Sequence, residues 1–472
     1  MELTKEPIAA PAIAAQTPTP RRPEELVRET MLAGPILPVL IRLALPTVAV
    51  LAAQTLVGVM EAFYVSFLGT SAQAGVTLVF PIFMLMTMMS NGGIGGGVAS
   101  AVARAIGAGR KADADALVTH SLLLAVIFGI VFTAGELALA PAAYHAMGGR
   151  GAALAAALTY SAFIFIGSVP IWIVSLLSAA FRGAGDVKTP ALITLVGAAA
   201  LIPASPALIF GFGPIPRLGI AGAGVAMGIY YTLASVALLR LLISGRTNVR
   251  LRRARFEARL FRDVLGVGLI SALSAAQTNL NVVLVTGAVG LFGTAVLAGY
   301  GIASRLDYVL IPLMFGLGTA LVTMVGVNVG AGNVARARRI ALLGAALAAI
   351  VTEAIGLAAA VFPSLWLRLF THDPAVLASG TAYLRIVGPL YGAVGFGFLL
   401  YFASVGAGRV AWPFLAGTAR LVTAAGVGWL AVAFFKASLL ELFAIVAASS
   451  ALYGIAMFLM FLAASWKCPS VA

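Results

Sequence analysis

The sequence predicts an all-α integral membrane protein with twelve transmembrane helices, arranged as two six-helix lobes related by a parallel repeat. Composition is the first observation: 61% of the 472 residues are hydrophobic and only 10% are charged. A soluble domain needs a more charged exterior than this, so most of the surface must face hydrocarbon. The other two observations are a series of long apolar stretches and a set of short motifs that recur at a fixed spacing.

Twelve apolar stretches are long enough to cross about 30 Å of hydrocarbon, which takes ~20 helical residues. We interpret them as helices because lipid-exposed sheet edges would leave backbone groups unpaired. The predicted spans are 39–66, 74–101, 116–140, 153–180, 190–212, 219–243, 265–290, 295–324, 340–363, 378–404, 411–434 and 438–464.

These spans divide the chain into five regions. An N lobe is predicted over 35–243 and a C lobe over 265–465, joined by a basic linker at 244–264. The Pro/Thr-rich segment 1–34 is predicted to be a disordered cytoplasmic tail, and 466–472 a second cytoplasmic tail.

Basic residues predict the orientation of the bundle in its membrane. If the N-terminus lies inside, the inner loops carry sixteen Arg and Lys residues, seven of them between Arg246 and Arg262, whereas the outer loops carry four. Positive loops stay in the cytoplasm, so both termini are predicted to be cytoplasmic. The same distribution argues against nucleic-acid binding and favours contact with anionic membrane lipids.

The repeated motif is the triplet Gly-Ala-Gly, which follows spans two, four, eight and ten. The triplets begin at Gly107, Gly183, Gly330 and Gly406, so each triplet of the first half has a partner 223 residues later. That offset equals six spans, an even number, and therefore indicates a parallel repeat about an axis along the membrane normal. Glycine at these places permits a left-handed helix cap and close helix packing.

Two longer segments carry a resemblance to a known family. "LALPTVAVLAAQTLVGVMEAFYVSFLGT" and "YGIASRLDYVLIPLMFGLGTALVTMVGVNVGAGN" are similar to the first- and eighth-helix motifs of the MATE (multidrug and toxic compound extrusion) family, prokaryotic branch. The resemblance covers 35–465. It implies secondary active export of small organic compounds, often cationic or amphipathic, by alternating access in exchange for protons or sodium ions. It implies no other cofactor, and we expect a monomer.

Carboxylates inside lipid are costly and are candidate functional groups. Glu61 stands where the family usually has an aspartate, and we predict that it couples ion and substrate movement. The alternative interpretation is that Glu61 is an interfacial residue beside Phe63 and Tyr64. Asp307 and Glu353 are further ion-coupling candidates, and helix packing is an alternative for Glu353.

Other ionisable residues are predicted to have no part in coupling. Arg305 and Asp307 are not expected to pair at i, i+2, and no partner can be named for Arg420. Glu136 and Glu441 are expected to be solvated near the outer interface.

The sequence departs from the family pattern in span five. Many prokaryotic members carry an Asn-x-x-x-Asp pair there, whereas this chain has Leu201 and Ser205 at those positions. A complete N-lobe ion site is therefore in doubt, and coupling must depend on Glu61 or on the second half.

Neutral polar groups in span seven are the candidate substrate-binding residues. They are Gln277, Asn279 and Asn281, with Gln54 as the repeat partner of Gln277. Such groups either join helices or line a wet cavity. No metal-ligand spacing appears among the histidines, and the single cysteine excludes an intrachain disulfide.

Two other functions are compatible with the architecture. A lipid-linked saccharide flippase would need cationic cavity residues for its pyrophosphate, but no Arg or Lys lies between Leu43 and Ala103. A membrane enzyme would need acids, histidines or a nucleophile at catalytic spacing, and the sequence offers none, so we predict no enzymatic activity.

The charge asymmetry makes a topology prediction. A reporter that is active only in the cytoplasm should be active when fused after Arg255, because the arginine-rich segment resists translocation. Activity of a periplasm-specific reporter at the same position would contradict the predicted orientation.

Overall fold

The computed structural model describes residues 23–214, 216–252, 254–464 and 466. The predictions for residues 1–22 and 467–472 lie outside this part of the chain. The described residues form eighteen α-helices, with bounds α1 Pro23–Ala33, α2 Ile36–Ser66, α3 Thr70–Met88, α4 Gly95–Gly107, α5 Lys111–Ala146, α6 Gly151–Ile166, α7 Ser168–Gly183, α8 Lys188–Phe210, α9 Ile220–Ser244, α10 Ala258–Gly290, α11 Thr294–Gly330, α12 Val334–Val361, α13 Pro363–Leu367, α14 Pro374–Val387, α15 Tyr391–Gly406, α16 Ala411–Leu421, α17 Gly428–Phe435 and α18 Leu439–Ala463.

The predicted all-α membrane architecture is confirmed. Among the described residues, eleven helical stretches are long and apolar enough to cross a membrane. The twelfth span is the pair α6 and α7, which is bent by 48°. Three spans combine two α-helices through a short irregular segment: π-helical turns at Met89–Ile94 and Val422–Val427, and a 3₁₀ turn at Gly388–Leu390. We call α2–α9 the N lobe and α10–α18 the C lobe.

The fourth span of each lobe breaks at an equivalent position. The bend between α6 and α7 is at Gly167, and the 3₁₀ turn between α14 and α15 ends at Leu390, one 223-residue repeat later. Pro170 and Pro389 lie beside these breaks, and each removes a backbone N–H that would continue the helix. The breaks therefore follow the 223-residue repeat, although the two prolines do not occupy equivalent positions.

The four Gly-Ala-Gly turns share one backbone conformation, as predicted. The last glycine of each triplet is left-handed, with φ of +73° at Gly109, +81° at Gly185, +76° at Gly332 and +75° at Gly408. A non-glycine residue would be strained in this region of φ. We call the side of the bundle with these turns and the Arg246–Arg262 segment the basic face, and the opposite side the far face.

The two lobes meet closely at the basic face through glycines. A Cβ added at Gly97 would collide with the carbonyl of Val264 in α10, and one at Gly107 with the carbonyl of Val327 in α11. A Cβ at Gly330 would likewise collide with the carbonyl of Arg104. The glycine-rich stretch 91–101 is thus a helix-packing surface, as predicted, and the structure is closed at its basic face.

Polar contacts reinforce this closure. Arg104, whose side chain is only 7% exposed, forms an ion pair with Asp263 of the C lobe. Ser100 donates to the carbonyl of Val405, and Thr323 Oγ1 donates to the carbonyl of Arg182 over 2.9 Å. Each contact joins one lobe to the other, so opening the basic face requires all of them to break.

The prediction of a disordered tail up to residue 34 is wrong for its last part, because Pro23–Ala33 form helix α1. Met31 and Val27 pack against Gly185, and Arg28 NH2 donates to the carbonyl of Gly107 over 2.9 Å. On the C-lobe side, Asn328 Nδ2 donates to the carbonyl of Met31 over 3.1 Å. These contacts with both lobes order the helix.

The predicted linker 244–264 is too long, because α10 begins at Ala258. The described residues between α9 and α10, 245–252 and 254–257, are held against α5. The backbone N–H of Arg250 donates to Asp115 Oδ1, and that of Glu257 to His120 Nε2, both over 2.9 Å. Arg259, in the first turn of α10, pairs with Asp113 over 3.1 Å.

Closure through glycine makes a direct prediction. In a Cys468→Ser background, Ser100→Cys gives a buried thiol between the lobes at the basic face. In that background, Gly107→Ala should raise the rate at which a water-soluble maleimide labels this thiol about tenfold, because overpacking destabilises the closed state by roughly 1–3 kcal/mol. Gly58→Ala is the control, since no atom lies within 4 Å of its added Cβ. An equal rate in both variants would contradict the closure mechanism.

Candidate functional site

Glu61 lies inside the N lobe, near the far-face end of α2. The residue is 8% exposed, and its Oε1 has no hydrogen-bond partner among the described residues. Tyr160 of α6 interacts with the carboxyl group, and the charge of Glu61 also acts on Tyr231 of α9. Burial favours the coupling interpretation of Glu61 over the interfacial one, and its coupling role stays a prediction.

The environment of Glu61 disfavours a permanent negative charge. No ion pair to Glu61 occurs in the described part of the chain, and a buried carboxylate without a counter-ion is costly. Such a group is stabilised by binding a proton or by a cation that approaches it. The site can therefore hold one positive charge and release it when the surroundings change.

Helix α8 packs against α2 and carries the two positions at which the chain departs from the family pattern. Leu201 and Ser205 are both buried, at 5% and 3% exposure. Leu201 offers no polar group, and Ser205 Oγ has no hydrogen-bond partner among the described residues. At these two positions the chain thus has one hydroxyl group, whereas relatives often have an amide and a carboxylate there.

Asp307 lies in the interior of the C lobe, on α11. Its charge interacts with Tyr391 at the start of α15, with Tyr383 of α14 and with Arg420 of α16. The guanidinium of Arg420 lies over the ring of Tyr453, with Cζ 5.5 Å from the ring centroid. The sequence named no partner for Arg420, and the structure supplies a carboxylate and an aromatic ring.

The two acidic sites are built on repeat-related tyrosines. Tyr160 and Tyr383 are 223 residues apart, and so are Tyr230 and Tyr453. The position equivalent to Arg420 is Gly197, and a Cβ there would collide with the ring of Tyr230. Each lobe therefore places a tyrosine beside an acid, but only the C lobe adds a cation. Applying the 223-residue offset to the tyrosines would have revealed these pairs in the sequence.

Arg305 and Asp307 do not form an ion pair in the described structure, as predicted from their spacing. The side chain of Arg305 is exposed, and its Cζ lies 5.8 Å from the ring centroid of Phe370. Two residues along a helix point about 200° apart, which explains their separate neighbours. The cation whose charge acts on Asp307 is therefore Arg420 and not Arg305.

Glu353 has a structural partner. Its Oε2 accepts a hydrogen bond of 2.7 Å from the backbone N–H of Gly392. That N–H lies in the first turn of α15, two residues after the 3₁₀ turn Gly388–Leu390 that interrupts the regular α-helical bonding. The contact favours the helix-packing alternative for Glu353, and its coupling role stays a prediction.

The four polar candidates for substrate binding lie in different surroundings. Gln277 Nε2 donates to Thr418 Oγ1 of α16 over 2.8 Å, and Asn281, one turn later, has a buried Oδ1 without a partner among the described residues. Asn279 points to the other lobe, with Nδ2 3.0 Å from Met88 Sδ. Gln54 is exposed. Gln277 and Asn281 thus share a helix face, and Asn279 does not.

Glu136 corrects one expectation about the outer interface. It is 7% exposed and accepts a hydrogen bond from the hydroxyl of Tyr144 on the same helix, so it is not solvated. Glu441, in contrast, is exposed and completes a capping box with Ser438 at the start of α18, as its interfacial position suggests. The two glutamates therefore differ in their burial, although both were expected near the outer interface.

Comparisons with known proteins agree with this architecture. The chain is 28% identical over 376 residues to an FAD transporter of Shewanella oneidensis, covering 78% of this chain and 82% of that protein. It is 26% identical over 355 residues to the probable multidrug resistance protein NorM of Thermotoga maritima, covering 74% and 75%.

Solved structures agree as well. A MOP superfamily transporter from Pyrococcus furiosus superposes with a TM-score of 0.84 at 25% identity, covering 92% of this chain and 97% of that one. An outward-facing multidrug resistance MATE family transporter gives a TM-score of 0.82 with the same identity and coverage. The family model MatE matches residues 46–206 and 271–430, once in each lobe. The chain therefore belongs to the MatE family of membrane transporters.

Proposed function

We propose that this protein is a secondary active exporter that exchanges protons for small organic compounds, cationic or amphipathic in character. The observation that carries the proposal is the buried carboxylate of Glu61, which has no ion-pair partner among the described residues. Membership in a family with multidrug efflux members supports the class of substrate. The flippase alternative is not favoured, because the chain belongs to a family with multidrug efflux members.

The lobe arrangement supports alternating access. The basic face is closed by glycine contacts, and Glu61 lies near the far-face end of α2. With the basic face in the cytoplasm, Glu61 takes up a proton from the outside in this state. Rocking of the lobes then opens the basic face, where the proton leaves and the substrate enters.

Exchange requires that proton and substrate disfavour each other. A protonated Glu61 is neutral and attracts no cation, whereas the carboxylate attracts a cationic compound in the cleft. Binding of one therefore weakens binding of the other by the same factor in both directions. We favour the proton over sodium because Leu201 contributes no oxygen ligand and Ser205 only one.

Three further properties belong to the proposal. Both chain ends lie in the cytoplasm of a bacterial cell, the protein resides in the inner membrane, and it works as a monomer. Each lobe supplies half of the cleft, so one chain contains a complete transport pathway.

Glu61 provides the central test. Glu61→Gln should insert and fold normally, because it removes a charge from a buried site, but should lose export of a cationic dye driven by a pH jump in liposomes. Glu61→Asp should keep part of the activity, because it retains the carboxylate. Dye release after a sodium jump at constant pH, measured in parallel, separates the two coupling ions.

The matched control is Glu441→Gln, which removes an exposed carboxylate at the end of another span. Export against a gradient by the Glu61→Gln variant at normal protein levels would place the coupling site in the C lobe. Release driven by sodium alone would refute proton coupling while leaving the exporter itself intact.

Glu353 provides a second test, because its two interpretations predict different results. If it only holds the N–H of Gly392, Glu353→Gln should transport normally, since the amide oxygen can accept the same bond. Glu353→Ala should lower the apparent melting temperature, because an unpaired buried N–H costs about 1–3 kcal/mol. A stable Glu353→Gln variant without pH-driven export would instead establish Glu353 as a coupling residue.

A further inference from the structure

We propose that the C lobe binds one anionic phospholipid at the basic face, with the lipid phosphate at Arg409 and an acyl chain along Met457 and Met460. The site is a cavity between the start of α16 and the end of α18. None of the candidate coupling or substrate-binding residues lines it. The site is therefore separate from those residues and does not depend on the exporter function proposed above.

The first argument is the cavity itself. Its volume is about 230 Å³, and it lies where the Gly-Ala-Gly turn after α15 meets the first residues of α16 and the last residues of α18. Its lining combines polar groups, aromatic rings and flexible apolar chains, and includes Ser404, Arg409, Trp412, Met457, Met460 and Trp466. A cavity with this mixture can hold a molecule that is polar at one end and apolar at the other.

The second argument is the position of the cavity in the membrane. Helix α16 begins at Ala411 and α18 ends at Ala463, so the cavity lies at the basic-face ends of two membrane spans. Trp412 is 59% exposed, and tryptophan is typical of the boundary between headgroups and hydrocarbon. Exposed leucines of the same two helices lie close to the lining residues in sequence: Leu415, Leu459 and Leu462. The cavity is therefore at headgroup level and next to the surface that faces lipid.

The third argument is positive charge. Arg409 lines the cavity directly after Gly408, and none of the described lining residues is acidic. Arg338 of α12 lies at the same end of α18, where its guanidinium donates to the carbonyl of Phe461 over 3.2 Å. The Phe461 ring, which also lines the cavity, lies 4.9 Å from Arg338 Cζ and 5.3 Å from the ring of Trp466. Two guanidinium groups thus stand near one small cavity, and basic pockets between membrane helices bind anionic headgroups.

The fourth argument is the chemistry of these groups. A guanidinium binds phosphate through two parallel N–H bonds, and an indole N–H can donate to an ester oxygen. Arg409 has a further interaction within the chain, but its five N–H donors can serve more than one acceptor. The flexible side chains of Met457 and Met460 adapt to an acyl chain. An anionic phospholipid satisfies both ends of the cavity, whereas a dissolved anion would leave the apolar wall unfilled.

The repeat supplies an internal comparison. Arg409 has Asp186 as its N-lobe equivalent, 223 residues earlier. Arg338 likewise has Asp115, so the charge is reversed at both positions. Asp186 Oδ1 accepts from the backbone N–H of Thr189 over 3.1 Å, and Asp115 holds the linker between the lobes. Acidic groups at these positions repel an anionic lipid, so the proposed site belongs to the C lobe alone.

The test measures tryptophan fluorescence of the full-length protein in vesicles of equal parts phosphatidylcholine and phosphatidylglycerol, without any ion gradient. Brominated acyl chains, which quench nearby tryptophans, are carried by the phosphatidylglycerol in one set of vesicles and by the phosphatidylcholine in the other. The signal of Trp412 is the difference between each protein and the same protein with Trp412→Phe. Brominated phosphatidylglycerol should quench this signal more strongly than brominated phosphatidylcholine.

Arg409→Gln should lower the preference for phosphatidylglycerol about fivefold, the effect of one lost positive charge next to an anionic lipid. Arg409→Lys should keep most of the preference, because it retains the charge. Ala464→Leu fills the cavity without changing any charge, should also lower the preference, and keeps the test valid if Arg409→Gln does not fold. The matched control is Arg240→Gln, which removes an exposed arginine near the basic-face end of α9 and should change the preference less than about twofold.

Four outcomes would overturn the lipid site. Equal quenching by the two brominated lipids in the wild-type protein would show general lipid contact only. An equal loss of preference in Arg240→Gln and Arg409→Gln would show an effect of overall surface charge. The absence of quenching by either lipid would show that another part of the chain fills the cavity. Loss of the preference on addition of inorganic phosphate at constant ionic strength would assign the cavity to a dissolved anion.

Discussion

Backbone contact between the lobes at the basic face is the constraint on which the rest of the structure depends. Gly97 and Gly107 of α4 bring the N lobe against carbonyl groups of α10 and α11, and Gly330 brings α11 against α4. Side chains cannot enter these contacts without moving the helices apart. The ion pair of Arg104 with Asp263 and the docking of α1 on both lobes bridge this closed surface. The closed basic face in turn leaves the acidic sites to be reached from the other side.

One scaffold is used twice with different electrostatics. The fourth span of each lobe breaks at a repeat-related position, and Tyr160 and Tyr383 approach an acid just before that break. Glu61 has no cationic partner in the described residues, whereas the charge of Asp307 is balanced in part by Arg420. The duplication preserved the backbone and the tyrosines, and the charges diverged.

Much of this architecture could be predicted from the sequence because membrane spans depend on composition and length. The twelve spans, the parallel repeat, the left-handed glycine turns and the helix packing of residues 91–101 all follow from apolar runs and spacing. Apolar runs and spacing do not predict how each helix is rotated about its own axis. Glu61 and Glu136 were both compatible with an interface, and only packing shows that both are buried. The electrostatic influence of Arg420 on Asp307 likewise depends on helix packing, because the two residues lie 113 positions apart in sequence.

Short polar segments were also hard to predict. Helix α1 has little hydrophobic character, and it is ordered by carbonyl groups and a glycine surface that belong to other helices. Residues 258–264 were assigned to the linker because of their arginines, but the ion pair between Arg259 and Asp113 is compatible with a helix that begins at Ala258. In both cases tertiary contacts outweigh local composition.

Helix α1 is attached to the two lobes chiefly through main-chain oxygens. Arg28 binds the carbonyl of Gly107, Asn328 that of Met31, and Arg336 that of Gly34. These hydrogen bonds depend on three donor side chains, Arg28, Asn328 and Arg336, and they act together with the apolar packing of Val27 and Met31 against Gly185. A lineage could therefore lose or regain this attachment by single changes at those positions while the membrane fold stays intact. Variation in how firmly the basic face is held shut could then evolve independently of the substrate sites.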